Sequence, residues 1–361
     1  MIIHYNEIVY YLQRGNTALH VSCESKGNPC TALLINKGAS ITAANEEKRT
    51  PLHVACLADD VPTVTLLLSK GVKVDTLDCF GKSGLHLALN NNLEPMAQLF
   101  IEKGANVGLA DEDGDKPLDI ACTNGLTAIV KLLLAKPSCQ PNTPDPSGKT
   151  ALQKVCAIGN ASILKLLLDA KADPNHLDPQ GNCALHEVCA RRFLECAQLL
   201  LSRGANPNIC DANNKTALIK TCMWGNVEET KLLLEHGAQA DACDMYGNTA
   251  LHYLAEMSLD DRVACAQLLF QYGANVNAMN YYGDTVLIRA SESDDAEIAT
   301  MLVEAGADIN FPGQEGHTAL HKACINQSGA MAALLIRYGG APSVTTVDNV
   351  SNTSYSYSYN D

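Results

Sequence analysis

One tetrapeptide recurs along this chain at a near-constant spacing, and a chain that repeats every 33 residues buries apolar side chains by stacking copies of one unit. The copies are TALH from Thr17, TPLH from Thr50, SGLH from Ser83, KPLD from Lys116 and TALQ from Thr150. They continue as CALH from Cys183, TALI from Thr216, TALH from Thr249, TVLI from Thr285 and TALH from Thr318. The step is 33 residues except for 34 before the fifth copy and 36 before the ninth. A single stretch such as TALHVSC, with His20 and Cys23 three residues apart, suggests a reactive or metal-binding pair. Its recurrence as LHVAC, LHEVC and LHKAC points instead to architecture.

A Leu-rich run follows each tetrapeptide, for example Leu66–Leu68, Leu132–Leu134, Leu166–Leu168 and Leu232–Leu234. Glycine then falls in one register at Gly38, Gly71, Gly104, Gly204, Gly237, Gly273, Gly306 and Gly339, where a left-handed residue would end a helix. GANPN-like arms and polar turns such as DPQG and DMYG complete the unit. The pattern predicts a turn, a short helix, a tight loop, a longer helix and an extended hairpin arm.

A 33-residue period carrying D-x-x-G-x-T-P-L-H-x-A, a Leu pair and G-A-x-x-N resembles the ankyrin repeat, and the likeness covers about Gly15 to Ala341. It implies an all-α solenoid of helix-turn-helix units with β-hairpin loops. Residues 15–341 are read as ten repeats. Residues 1–14 are read as the remnant of a truncated repeat, because Ile8 sits where Val276 and Ile309 sit in later copies. Residues 342–361, rich in Ser, Tyr and Asn, are expected to be a disordered tail. Pro137–Ser138 and Lys171 replace the register glycine, and EMSLDDRV lengthens the eighth copy.

Composition narrows the function classes. The net charge of −14 and the lack of a basic cluster argue against nucleic-acid binding. No apolar run is long enough to span a bilayer, and the opening MIIHYNEIVYYLQR lacks the design of a secretory signal. A cytoplasmic or nuclear location is therefore expected. The 15 cysteines include no C-x2-C pair, and stacked helices about 8–10 Å apart hold same-register cysteines beyond the roughly 7 Å reach of a disulfide. No cofactor, metal or catalytic set is expected, and the chain is read as no enzyme.

In ankyrin-like units the tetrapeptide Thr and His brace the turn into the first helix, which would make His20, His53, His86, His186, His252 and His321 structural. Cys23, Cys56, Cys122, Cys156, Cys189, Cys222 and Cys324 share the next small-residue register and suit helix packing.

The resemblance also implies a partner-binding concave face of hairpin tips and first-helix edges. On that face Met223, Trp224, Met245, Tyr246, Met257, Tyr281 and Tyr282 cross the seventh to ninth copies, with Glu256, Asp284, Glu292, Asp294 and Asp295 around them. The expectation is a monomeric, non-catalytic scaffold or adaptor whose protein partner presents an apolar anchor with basic flanks. A substrate-recognition subunit of a ubiquitin ligase and a linker to membrane proteins or cytoskeleton are the alternatives. A second candidate surface is the acidic tip Asp111, Glu112, Asp113 and Asp115 beside Phe80. Asn277 resembles the hairpin asparagine that asparaginyl hydroxylases modify in such repeats.

Overall fold

A computed structural model describes residues 14–256, 261–313 and 316–341. The tail at 342–361 and, apart from Arg14, the N-terminal remnant lie outside the described residues. Chain contacts divide into two compact units, Met1–Asp173 and Pro174–Asp361, and each holds five helix pairs among the described residues.

In the first unit the pairs begin with Ala18–Cys23 and Pro29–Asn36 and end with Ala151–Ile158 and Ala161–Asp169. In the second they run from Ala184–Ala190 and Leu194–Ser202 to Ala319–Ile325 and Gly329–Arg337. Within each unit, first helices pack on their own second helices and on the first helices of adjacent copies, as Ala217–Met223 does with Ala184–Ala190 and Ala250–Glu256. The hairpin arms carry single bridges such as Cys243 to Thr249, with no strand among the described residues.

Local chemistry explains each element. The tetrapeptide Thr or Ser is extended, as at Thr17 (φ −79°, ψ 165°), and its hydroxyl caps the helix that follows. A left-handed residue closes the loop to the second helix, supplied by Gly125, Gly159 and Gly225 or by Asp59, Asn92 and Asp294. The register glycines are left-handed as expected, and Lys171 takes the same conformation at φ 65°. From the second copy on, one register of the second helix is buried to zero exposure, as at Leu67, Leu133, Leu167, Leu233 and Leu302. In the third copy that residue is Phe100. The larger ring fills the space at the start of the same copy's first helix, and a Cβ on Gly84 would sit 2.3 Å from it. The glycine of SGLH is thus the partner of a phenylalanine sixteen residues later.

The histidines do more than brace a turn. The backbone N–H of Thr50 donates to Nδ1 of His53 at 3.1 Å, which leaves Nε2 to carry the ring proton. That nitrogen donates to the carbonyl of Thr76, in the next hairpin, at 3.0 Å. The same link joins His20 to Arg49, His86 to Leu109, His186 to Lys215 and His252 to Asp284. His321 is half-buried and bonds to Thr318. Asp119 and Gln153 take the histidine's place by accepting the N–H of Lys116 and Thr150.

Six of the seven register cysteines have zero exposure, and Cys324 is half-buried. Burial pushes the Cys23 and Cys56 thiols up to about 12, so they stay protonated and serve as small apolar side chains.

Two outcomes follow. Gly84→Ala should cost about 1–3 kcal/mol through overpacking, and adding Phe100→Leu should recover most of that loss in urea unfolding. Equal loss in single and double variants would contradict the pairing. Burial also lowers the pKa of His20, His53, His86 and His252, and with the charge of Lys220 brings His186 to about 4. The unfolded chain binds more protons between about pH 6.5 and these lower values. Stability should therefore be full above that window and fall as pH drops through it, before most carboxylates titrate. A thermal midpoint unchanged from about pH 7.5 to 5 would refute this.

Candidate functional site

The hairpin tips of the second unit are built by one device. The side-chain oxygen of Asp244 accepts the N–H of Tyr246 and of Asn248, both at 2.9 Å, and Asn280 does the same for Tyr282 and Asp284 at 3.0 Å. This tight turn aims the two residues after the Asp or Asn into solvent. Met245 is 50% exposed, Tyr246 46%, Tyr281 71% and Tyr282 53%. Gly247 (φ 80°) lets the next tip close in, since a Cβ there would meet Tyr281 at 2.7 Å.

Consecutive tips are joined through the backbone. Met245 N–H donates to Asn213 O at 3.0 Å, and Tyr281 N–H to Tyr246 O at 2.9 Å. The Tyr246 and Tyr282 rings stack with centroids 6.3 Å apart and an interplanar angle of 21°. Met279, which the sequence reading passed over, adds a fifth exposed side chain beside them. Its signal was available: it precedes the turn Asn in the register of the exposed Leu77 and Leu177.

The remaining expected residues separate from this row. Trp224 is exposed, but it caps the C-terminal end of Ala217–Met223, whereas the tip at Asn213 precedes the other end. That helix of seven residues is about 10 Å long, and no ring contact joins Trp224 to the tyrosines among the described residues. Met223 is half-buried, with Lys215 Nζ 3.5 Å from its sulfur. The same ammonium lies 4.6 Å over the ring of Tyr253. Met257 lies outside the described residues.

The acidic surround is largely matched in place. Arg289 bonds to Glu256 through Nε at 2.8 Å, approaches Asp284 at 3.9 Å and pairs with Glu292 at 2.8 Å. Asp295 pairs with Arg262 at 2.7 Å. Arg289 occupies a recurrent cation register with Lys154, Lys220 and Lys322, four residues after each tetrapeptide start. Each of these meets a carboxylate, as Lys220 does Asp211 at 2.8 Å.

In the first unit, the acidic tip is also partly neutralised. Asp111 turns inward to accept the N–H of Asp113 and Asp115, and Lys154 holds Asp115 at 2.7 Å. Lys82 stands 3.9 Å from Asp113, and Phe80 is exposed on the neighbouring tip. Asn277, in the second unit, is exposed, and its side-chain oxygen accepts the N–H of Asp308 at 2.8 Å. Asn175, Asn208 and Asn310 make the equivalent link, so this asparagine ties one hairpin arm to the next. Among the described residues no three His, Cys, Asp or Glu side chains converge as metal ligands, and no helix is long and apolar enough to cross a membrane.

The comparisons agree with this architecture. The family described as "Ankyrin repeats (3 copies)" matches residues 3–78, 61–145, 137–211, 188–280 and 263–348. The chain belongs to the ankyrin repeat family. Among solved structures it is similar to the ankyrin repeat domain of Bcl-3, described as a unique member of the IkappaB protein family, with 30% identity and a TM-score of 0.57. That match covers 62% of this chain and 100% of the other. An ankyrin repeat domain from Acinetobacter baumannii matches with 27% identity and a TM-score of 0.51, covering 53% of this chain and 98% of that one. Among curated proteins, none matches the chain closely enough to count as a relative. Ankyrin repeats generally mediate protein–protein interactions and are generally non-catalytic.

Proposed function

We propose that this chain is a non-catalytic scaffold or adaptor that docks a protein partner on the tip row of its second unit. The observation that carries the reading is the run of exposed Met245, Tyr246, Met279, Tyr281 and Tyr282 on consecutive, backbone-linked tips. Clustered aromatic and Met side chains on a rigid frame are the composition of binding hot spots, because large flat surfaces desolvate at little entropic cost. The turn carboxamide and carboxylate behind them hold the backbone in place, so the row is organised before a partner arrives.

The partner's anchor is apolar in this reading. Basic flanks gain little, since Glu256 and Asp284 already face Arg289. Trp224 is a separate contact at the far end of the first helix and is not required for docking.

Affinity capture from cell extract with the intact chain and with a Tyr246→Ser, Tyr281→Ser, Tyr282→Ser variant tests the proposal. The variant should keep its circular dichroism and melting profile yet bind the captured partner about tenfold or more weakly, a loss of about 1.4 kcal/mol or more. A partner held equally by both proteins, and released by Trp224→Ser instead, would move the site to the helix end.

A further inference from the structure

We infer that the tip row of the second unit takes an uncharged, proline-rich extended segment. This rests on the binding role proposed above and names the chemistry of the partner. Three features of the row lead to it.

The first is charge. Although the chain carries −14 overall, Ala212–Asn214, Met245–Tyr246 and Tyr281–Tyr282 include no ionisable acid or base that is charged at neutral pH. The acids behind them face inward or are matched. Asp244 has zero exposure and accepts the amides of Tyr246 and Asn248 and the hydroxyl of Tyr253. Asp211 holds Lys220, and Arg289 faces Glu256 and Asp284. Among the described residues a Lys- or Arg-rich segment finds no unmatched carboxylate at these three tips, so a neutral segment is favoured there.

The second is hydrogen bonding. The amides of Met245 and Tyr281 bind the preceding tips, and those of Tyr246 and Tyr282 bind the turn side chains. With those four N–H groups taken, these tips offer no free donor for added β-pairing. A polyproline II segment keeps its backbone solvated and needs no such pairing, and it docks on aromatic-lined surfaces.

The third is the shape of the surface. The stacked faces of Tyr246 and Tyr282, with Met245 and Met279 beside them, form the shelf on which prolyl rings would lie.

Calorimetry of the full chain with capped synthetic peptides of about nine residues tests this: a neutral Pro/Leu peptide, a Gly/Ser peptide of equal length, and the Pro/Leu peptide with Lys flanks. The neutral Pro/Leu peptide should bind and the Gly/Ser peptide should not, with affinity changing less than about threefold between about 50 and 500 mM salt. Tyr246→Ser with Tyr282→Ser should weaken it about tenfold or more, while Trp224→Ser leaves it unchanged. No binding of the Pro/Leu peptide, equal binding by the double variant, or a gain above about tenfold from Lys flanks at low salt would overturn the inference. If the peptide fails while the tip variant still releases the captured protein partner, the binding role stands and only this partner chemistry falls.

Discussion

A buried imidazole that accepts at one nitrogen and donates from the other is the contact on which the stack depends. Its Nδ1 takes the first N–H of the turn, which would otherwise be an unsatisfied donor beside a helix start. Its Nε2 then has only one role left, and the carbonyl that takes the proton belongs to the following copy's hairpin. Local capping and inter-copy order thus share one tautomer. Where the histidine is replaced, Asp119 and Gln153 keep the first function without the second ring nitrogen, and Ile219 and Ile288 leave the cap to the threonine hydroxyl alone.

With neighbours locked in this way, each copy buries its Leu face against the next, and stability is a sum of unit and nearest-neighbour terms. Within a copy the two helices are matched to each other, as Gly84 is to Phe100, where one departure from the common pattern demands another. Coupling between copies is visible in the hairpin asparagines, which repeat the same cross-copy link at Asn175, Asn208, Asn277 and Asn310. A rigid ladder of tips is the product, and the tips are free to vary because their backbone geometry is set by the turn Asp or Asn and its glycine. Function can therefore reside in Met245, Tyr246, Tyr281 and Tyr282 without disturbing the frame.

Most of the fold was legible in the order of residues. The period placed every helix pair, the register glycines marked the helix ends, and the fourfold recurrence of the His-Cys pair pointed to packing, which the burial of the cysteine ladder agrees with. Part of the candidate site was legible as well. The tip aromatics stand out as positions that differ between copies. Trp224 and Met223 were grouped with them by register alone, yet a helix length separates the two sets. The acidic surround was read as free charge because its cation, Arg289, sits in a different copy from Glu256.

The sequence by itself determined the repeating unit, its caps and turns, and which residues of each copy could face solvent, since these follow from local backbone preference and a fixed period. Tertiary structure alone decided which carboxylates are matched, which way the histidine protons point, and which exposed side chains form one surface. Those properties depend on distances between atoms about one repeat apart in sequence, and a one-dimensional register cannot tell a neighbour across the stack from a residue at the far end of the same helix.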